Sequence, residues 1–590
     1  MAGLLLAGFG GLGYRLYDLQ IIRHKELAQA VNRTHEQRIR LPALRGTIFD
    51  RNNNLLAHSV PVQTVVVDPW LVQREEESRA KDGRSPVMPE MTALLCARLG
   101  LSKDEVSRRL KAPGRYAILR RKVPQETTKQ LEEDLRKKRL RGVIFEDDQM
   151  RTYPNGSLMS HVLGYVNAEN RGMDGVEYLM QTELQGQDGW RKISRDRRGR
   201  EIVIFRNEDF SARNGYRVVL TLDQAIQNIA ERELDRAVER HHPDSAVAIV
   251  MRPATGEVLA MASRPTFDPN SNAKQVETLK NRAVADLMEP GSTFKVVTVA
   301  AALDHRILSL DDTVWCENGK FLYADRYLND HEPYGMLTTT GVLVHSSNIG
   351  AAKIALMLGN DRMHRAMRSF GFGEMAFGER PGECWPGEIR GVVHPLRNWS
   401  QVSITRVAMG HEVGATAIQM ANAMCALANG GNLMRPQMIK RLVDENGNVV
   451  REFLPQVRRR VMDREAAREM TRALRQVVGK KGTAERAQVP GFAVAGKTGT
   501  AQKVVHGRYA HDQFAASFIG YFPADDPELC VYVMLDSPKG GEYTGGAVAA
   551  PVFREIAAQS ASYLNLKPSR RLFPPNDAGV LPAANMGRLP

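Results

Sequence analysis

The chain has 590 residues, too many for one ordinary domain and enough for two to four compact units. Its composition, 43% hydrophobic and 25% charged with no low-complexity tract, excludes a disordered or fibrous protein. The formal charge of +14, from 81 basic and 67 acidic residues, fits nucleic acid, an anionic membrane surface or an anionic polymer equally well. The short basic clusters Lys137–Arg139, Arg195–Arg200 and Arg458–Arg460 read as solvated faces. Five scattered cysteines, Cys96, Cys316, Cys384, Cys425 and Cys530, include no CxxC pair and support neither a zinc site nor a disulfide framework. Cys425 and Cys530 lie in apolar runs and are expected in the core, while a Cys316–Cys384 bridge is left open.

Met1–Gly13 is apolar, and the run extends loosely to Ile22 through Arg15 and Asp18. A spanning helix needs about 20 apolar residues, so residues 1–22 read as a short membrane anchor, with an amphipathic core helix as the competing reading. The segment has no basic n-region and no small-residue cleavage site, which argues against a cleaved signal peptide. Arg15, Arg23 and Lys25 all follow it, contrary to the positive-inside rule for an anchor entering from the cytoplasm. The expectation is that a short basic tail lies upstream of the written start. Gly8–Gly13 fits GxGxxG but has no strand before it, so helix packing explains it better than a dinucleotide site.

Residues 23–214 mix strand-like pieces (Gln63–Val67, Val143–Phe145) with charged helical stretches such as Pro124–Arg139. Turn signals recur at Asn52–Asn54, Pro113-Gly114 and Asn155-Gly156. This zone reads as an elongated α/β module of small subdomains. A second zone, 215–566, opens with a strand at Tyr216–Leu222. Asp223 then caps a helix from Gln224 to about Arg240. Strands follow at Ala246–Met251 and Val258–Ala262 around a Thr255-Gly256 turn. Helices are expected at Ser292–Leu303 and Ala417–Ala428. Strands return at Phe492–Ala495, Ala515–Phe522 and Cys530–Leu535, before a last helix over Val548–Leu564. Strands at both ends with helices between predict one sheet built from both termini and covered by helices, an α+β or α/β layered domain within a chain read as α+β. Residues 567–590 read as a flexible tail.

Gly491–Thr498 fits GxxxxGK[ST]. A P-loop needs a strand before the first glycine and a helix after the Lys-Thr. Val489-Pro490 precedes and Gly499–Gln502 follows, so Phe492–Val505 reads instead as an extended hairpin arm. SxxK occurs three times, at Ser78–Lys81, Ser271–Lys274 and Ser292–Lys295, and spacing alone decides nothing. Only Ser292 opens a long apolar helix, just after Pro290-Gly291. There the (i, i+3) spacing stacks Lys295 on the face of the hydroxyl, and the positive helix end favours negative charge developing at Ser292. Serine needs a nearby base to act as a nucleophile. Lysine serves when burial and another cation lower its pKa. The chain supplies that cation in its only KTG, Lys497-Thr498-Gly499, and holds one S-x-N, Ser346-Ser347-Asn348. The three boxes, in this order inside one sheet-bounded domain, form a constellation that none makes alone.

With these boxes the sequence resembles the penicillin-binding, active-site-serine transpeptidases. The N-terminal zone narrows the resemblance to the class B high-molecular-weight members. Arg45-Gly46-Thr47-Ile48-Phe49-Asp50-Arg51 resembles their RGxIxDR box. Arg151–Pro154, His161–Tyr165 and Gly175-Val176-Glu177 resemble further family boxes. Glu289–Lys295 and Gly545–Phe553 look most like the division-specific penicillin-binding protein 3 type, with the elongation type as the alternative. The resemblance implies an N-terminal anchor, a non-catalytic pedestal of the dimerisation type and a C-terminal transpeptidase domain. Ser292 would attack the penultimate D-alanine carbonyl of a D-Ala-D-Ala stem, and Lys295 would take its proton. Ser346 would relay a proton to the leaving D-alanine, with Lys497 setting the field and Asn348 holding the peptide amide. Thr498 and Thr500 would bind the terminal carboxylate, and the backbone N–H groups of Ser292 and Thr500 would form the oxyanion hole. Gly499 would keep its strand bare, so that an extended peptide can add to it. An acceptor amine from a second stem would then resolve the acyl-enzyme. No metal or cofactor is implied, and no nucleic acid. The implied partners are stem peptides, β-lactams, a membrane-embedded glycosyltransferase and division-complex proteins. The implied location is the cytoplasmic (inner) membrane, single-pass, with the catalytic domain outside. D,D-carboxypeptidases and β-lactamases share the boxes but lack the RGTIFDR module and the anchor. The intact Ser292, Lys295, Ser346 and Lys497 argue against a non-catalytic β-lactam receptor.

Overall fold

In the computed structural model, which describes residues 2–23, 36–194, 209–271, 275–380, 382–505 and 508–569, the apolar start of the chain is helical. Helix α1 (Ala2–Tyr17) runs into a π-helical turn, Asp18–Ile22, with Gly8–Gly13 inside it, so no strand-turn phosphate loop exists there. Among the described residues, no helix is long and apolar enough to cross a membrane. The basic cluster Arg195–Arg200, Lys274 and most of the 567–590 tail lie outside the described residues.

Two units divide the chain. The first comprises Met1–Thr47, His58–Thr152 and Thr182–Arg217. Besides α1 and strand β1 (Glu36–Leu41), it holds β2 (Leu55–Val67) from His58 onward, α2 (Pro69–Lys81), α3 (Val87–Leu99), α4 (Lys103–Leu110), β3 (Ala117–Pro124), α5 (Gln125–Lys137), β4 (Val143–Thr152) and β5 (Gly189–Ser194). β2 pairs antiparallel with both β3 and β4, and β1 with β5. Val65 and Val67 of β2 join Val72, Met91, Leu95, Leu99, Val106, Leu131 and Leu135 from the helices in one buried cluster. Asp68 starts α2 by accepting from Leu71 N at 3.0 Å, with Pro69 at the first helical position. The sequence reading found α5, β2 and β4 but not α2 to α4. Their apolar signal is thin: α2 buries only Pro69 and Val72 among thirteen residues. Gly46, in the first half of the RGTIFDR box, is fixed by crowding, because a Cβ there would lie 2.0 Å from Tyr216 O. The Arg151 guanidinium donates to Gly46 O at 2.7 Å, which ties two family boxes together.

The second unit comprises Ile48–Ala57, Tyr153–Gln181 and Val218–Pro590. The box's acidic end works here as a cap. The Asp50 carboxylate accepts from the backbone N–H groups of Asn52 (2.8 Å), Asn54 (2.7 Å) and Gln224 (3.1 Å). Strand β6 (Arg217–Leu220) lies parallel to Ile48–Phe49, and α6 (Gln224–His241) follows with Asp223 as its N-cap. β7 (Ser245–Met251) and β8 (Val258–Arg264) are buried at every residue, as strands covered on both faces must be. Helices α7 (Lys295–Asp304), α8 (Asn348–Leu358), α9 (Ala417–Ala428) and α10 (Arg464–Val477) come next. The chain returns to the sheet through β9 (Ala495–Val505), β10 (Arg508–Phe522) and β11 (Leu529–Asp536), and closes with α11 (Gly545–Tyr563). The sheet is antiparallel throughout, in the order β8-β7-β11-β10-β9, so both ends of the domain build it as expected. Helices α6 and α11 pack on it and on each other, and α9 packs on β7, β10 and β11. The Gly496-Lys497-Thr498 of the P-loop pattern lies inside β9, a strand, so no helix N-terminus is there to cradle phosphate. All five cysteines are free thiols, with Cys425 and Cys530 buried as expected.

Candidate active site

Ser292 does not open an α-helix. It sits in a 3₁₀ turn, Gly291–Phe294, that feeds α7. The cause is local crowding: Gly291 has φ +56° and its nitrogen donates to Gly410 O at 3.2 Å, while a Cβ on Gly410 would meet Gly291 O at 2.3 Å. Thr293 Oγ1 locks the turn by donating to Pro290 O at 2.7 Å. Within Gly291–Leu303, Ser292 alone is not buried. The nucleophile candidate therefore stands at the surface of an otherwise sealed helix.

Lys295, one turn on, is fully buried. Its Nζ donates to Asn348 Oδ1 at 2.7 Å, to Ser346 Oγ at 3.2 Å and to the Ser346 carbonyl. Lys497, also fully buried, donates to the same Ser346 Oγ at 3.0 Å and to Thr498 O at 3.1 Å. The three boxes thus meet on one hydroxyl. The Ser292 hydroxyl makes no hydrogen bond among the described residues, so the expected Ser292–Lys295 pairing is replaced at rest by Lys295–Ser346 and Lys295–Asn348. Burial pushes the Lys295 amine down to about 7, and the Asp330 carboxylate partly opposes this. Burial, and then the charge of Lys295, hold Lys497 well below the usual lysine range. The sequence reading cast Lys497 as a fixed cation acting on Lys295. The charge effect runs the other way: the Lys295 charge lowers Lys497, and Lys295 is lowered by its own burial.

Thr498 and Thr500 follow on β9, which is an edge strand. Thr498 Oγ1 donates to Thr483 Oγ1 at 3.1 Å, and Thr500 Oγ1 accepts from Gly545 N at 3.1 Å, where α11 starts. Packing under the strand also requires a glycine at 499. A Cβ there would lie 2.5 Å from Ser517 Oγ and 2.9 Å from Thr293 Cγ2. The Ser517 side chain of the neighbouring strand and the Pro290–Thr293 turn together set this glycine.

Three further groups were given no site role by the sequence reading. The Asp330 carboxylate accepts from Ser347 Oγ at 2.6 Å and from Ile349 N at 3.0 Å. Glu289, three residues before Ser292, takes the His411 Nδ1–H at 2.9 Å and the Tyr509 hydroxyl at 3.1 Å. Cys316 lies 3.5 Å from Ser347 Oγ. None carries a spacing signal, since each reaches its partner from a distant segment. Ser78 and Lys81 stand exposed on α2, in the first unit, and Ser271 belongs to a loop. The Arg458–Arg460 cluster is not a solvated face: Arg458 (3.1 Å) and Arg459 both pair with Glu374.

Residues 246–558 match the family model of the penicillin binding protein transpeptidase domain, and residues 40–220 that of the penicillin-binding protein dimerisation domain. The chain belongs to the penicillin-binding protein family. This penicillin-binding protein is 33% identical over 564 residues to Stage V sporulation protein D of Bacillus subtilis, covering 94% of this chain and 84% of that one. Over 577 residues it is 30% identical to the peptidoglycan D,D-transpeptidase FtsI of Escherichia coli, covering 96% and 92%. Its fold is similar to that of penicillin binding protein 3 from Mycobacterium tuberculosis complexed with aztreonam, with TM-score 0.68, 28% identity, and coverage of 91% and 99%. This penicillin-binding protein is a peptidoglycan D,D-transpeptidase, a serine acyltransferase with a mixed α+β architecture.

Proposed function

We propose that Ser292 is the nucleophile, activated by Lys295, with Ser346 and Lys497 as the proton relay. The observation that carries this is the Ser346 hydroxyl, 3.2 Å from one buried amine and 3.0 Å from another. The neutral Lys295 amine takes the Ser292 proton as Oγ bonds to the penultimate D-alanine carbonyl carbon. The developing oxyanion is held by the backbone N–H groups of Ser292 and Thr500. The C–N bond to the terminal D-alanine breaks, and its nitrogen is protonated through Ser346. Asn348 orients the donor amide, and Thr498 and Thr500 face the carboxylate. The amine of a second stem then attacks the ester, a peptide bond forms, and Ser292 recovers its proton. A β-lactam follows the first half only, its opened ring blocking the acceptor. The test supplies a stem pentapeptide donor with and without an acceptor amine. Mass spectrometry should show one D-alanine released per cross-link in the parent and neither product in Ser292→Ala. Hydrolysed donor at equal yield, with or without the amine, would move the enzyme to the carboxypeptidases.

The Glu289–Lys295 and Gly545–Phe553 segments support a septal role. The exposure of Phe9, Leu12, Tyr14, Ile21 and Ile22 on the helical stretch of residues 1–22 supports a seat for that segment at the cytoplasmic membrane. On this reading the catalytic domain, 215–566, lies outside the membrane, and 23–214 is the non-catalytic pedestal. A transpeptidase without a recognisable polymerising domain needs glycan delivered, and a membrane-embedded glycosyltransferase of the division complex is the partner this reading requires.

A further inference from the structure

The short strand Arg326–Asn329 ends at Asp330, beside the Ser346–Asn348 turn. The Asp330 carboxylate grips that turn at three points: the Ser347 hydroxyl at 2.6 Å, the Asn348 backbone N–H, and the Ile349 N–H at 3.0 Å. The neighbouring Asn329 carbonyl accepts from Asn348 Nδ2 at 3.0 Å. These bonds matter because the turn is strained. Ser346 sits at φ +57°, a left-handed conformation that a serine adopts at a cost. Relaxation there would move the two groups that Lys295 touches, Ser346 and Asn348. The carboxylate also lies at the N-terminal end of α8, where negative charge is favoured.

We propose that Asp330 is a positioning residue: its short carboxylate holds Ser346 and Asn348 against Lys295 and keeps one negative charge beside that amine. The inference rests on Lys295 being the base, as proposed above. The groups facing this corner are Lys497 from β9, Cys316, and Tyr334, which senses the Asp330 charge together with that of Glu332. Lys353 is spent on Glu317 at 2.6 Å. Among the described residues, the carboxylate is the charge that opposes the desolvation of Lys295. Removing it favours the neutral amine further, so the limb on which acylation rises with pH moves to lower pH.

The experiment measures the second-order rate of penicillin acylation against pH for the parent, Asp330→Asn and Asp330→Glu, with a melting curve for each. Asp330→Asn keeps the shape and loses the charge. Its rate at pH 6 relative to pH 8 should exceed the parent's ratio by about threefold, the effect of about half a pKa unit. Asp330→Glu keeps the charge on a longer arm, so it should acylate at least about tenfold more slowly with the parent's midpoint. A purely structural role would slow both variants and move neither midpoint. A folded Asp330→Asn with an unmoved midpoint overturns the proposal, as does an Asp330→Glu acylating at the parent's rate. If Asp330→Asn fails to fold, Asp330→Ser, which also removes the charge, replaces it in the midpoint comparison under the same criterion. A parent not acylated at Ser292 would instead sink the mechanism on which the inference rests.

Discussion

Lys295 and Lys497 are two amines held out of water on opposite sides of one serine hydroxyl. A lysine in water would be protonated and useless as a base. Burial moves the Lys295 amine to about 7, where a large fraction is neutral at working pH. Acylation should therefore rise about tenfold per pH unit below pH 7 and level off above it. A rate flat from pH 5 to 9 would remove Lys295 as base. Arginine stays protonated in this setting, so Lys295→Arg should acylate at least about a hundredfold more slowly. The variant should also melt lower than the parent, because a larger, permanently charged group enters a sealed site. Stopped-flow acylation and a melting scan on one sample read both effects. These residues were legible in the sequence because their chemistry is carried by short local patterns. Asp330 was not, because its three hydrogen bonds reach a turn 17 to 19 residues away with no spacing rule to announce them.

At the scale of elements, patterning in the second unit located the sheet well. β7 and β8 read as strands from unbroken apolar runs, and α9 matches its expected bounds at Ala417–Ala428. The turn at Ser292 did not follow from patterning. An apolar helix with a glycine before it looks the same whether its first turn is α or 3₁₀, and the choice is made by Gly410, more than a hundred residues on. The fit of β9 against that turn gives a prediction. Gly499→Ala puts a methyl 2.5 Å from Ser517 Oγ, 2.9 Å from Thr293 Cγ2 and 3.2 Å from Pro290 O, so the strand must shift relative to the Ser292 turn. Overpacking of this kind costs about 1–3 kcal/mol. The variant should show a lower Tm and slower acylation together. A variant with parental values of both would show that the close approach has no functional weight.

For the whole molecule, pH sets stability as well as rate. His161 lies in the second unit with its ring nitrogen 2.9 Å from Thr278 O and its edge against Phe267. Burial pushes its pKa down to about 4. In the unfolded chain it binds its proton near pH 6.5, so the unfolded state takes up more protons between those two values. The contribution is intact above about pH 6.5 and is lost as the pH falls toward 4, by up to roughly 3 kcal/mol. His161→Gln should flatten the acid limb of Tm against pH, and an unchanged limb would assign acid lability elsewhere. The central claim, that one of three SxxK serines carries the acyl group, is tested most directly by locating the label. Fluorescent penicillin is reacted with the full chain, and the labelled peptide is mapped by mass spectrometry. The account predicts a single adduct on Ser292, unaffected by Ser78→Ala or Ser271→Ala and abolished by Ser292→Ala. A label that survives Ser292→Ala, or that maps to another serine, would contradict it.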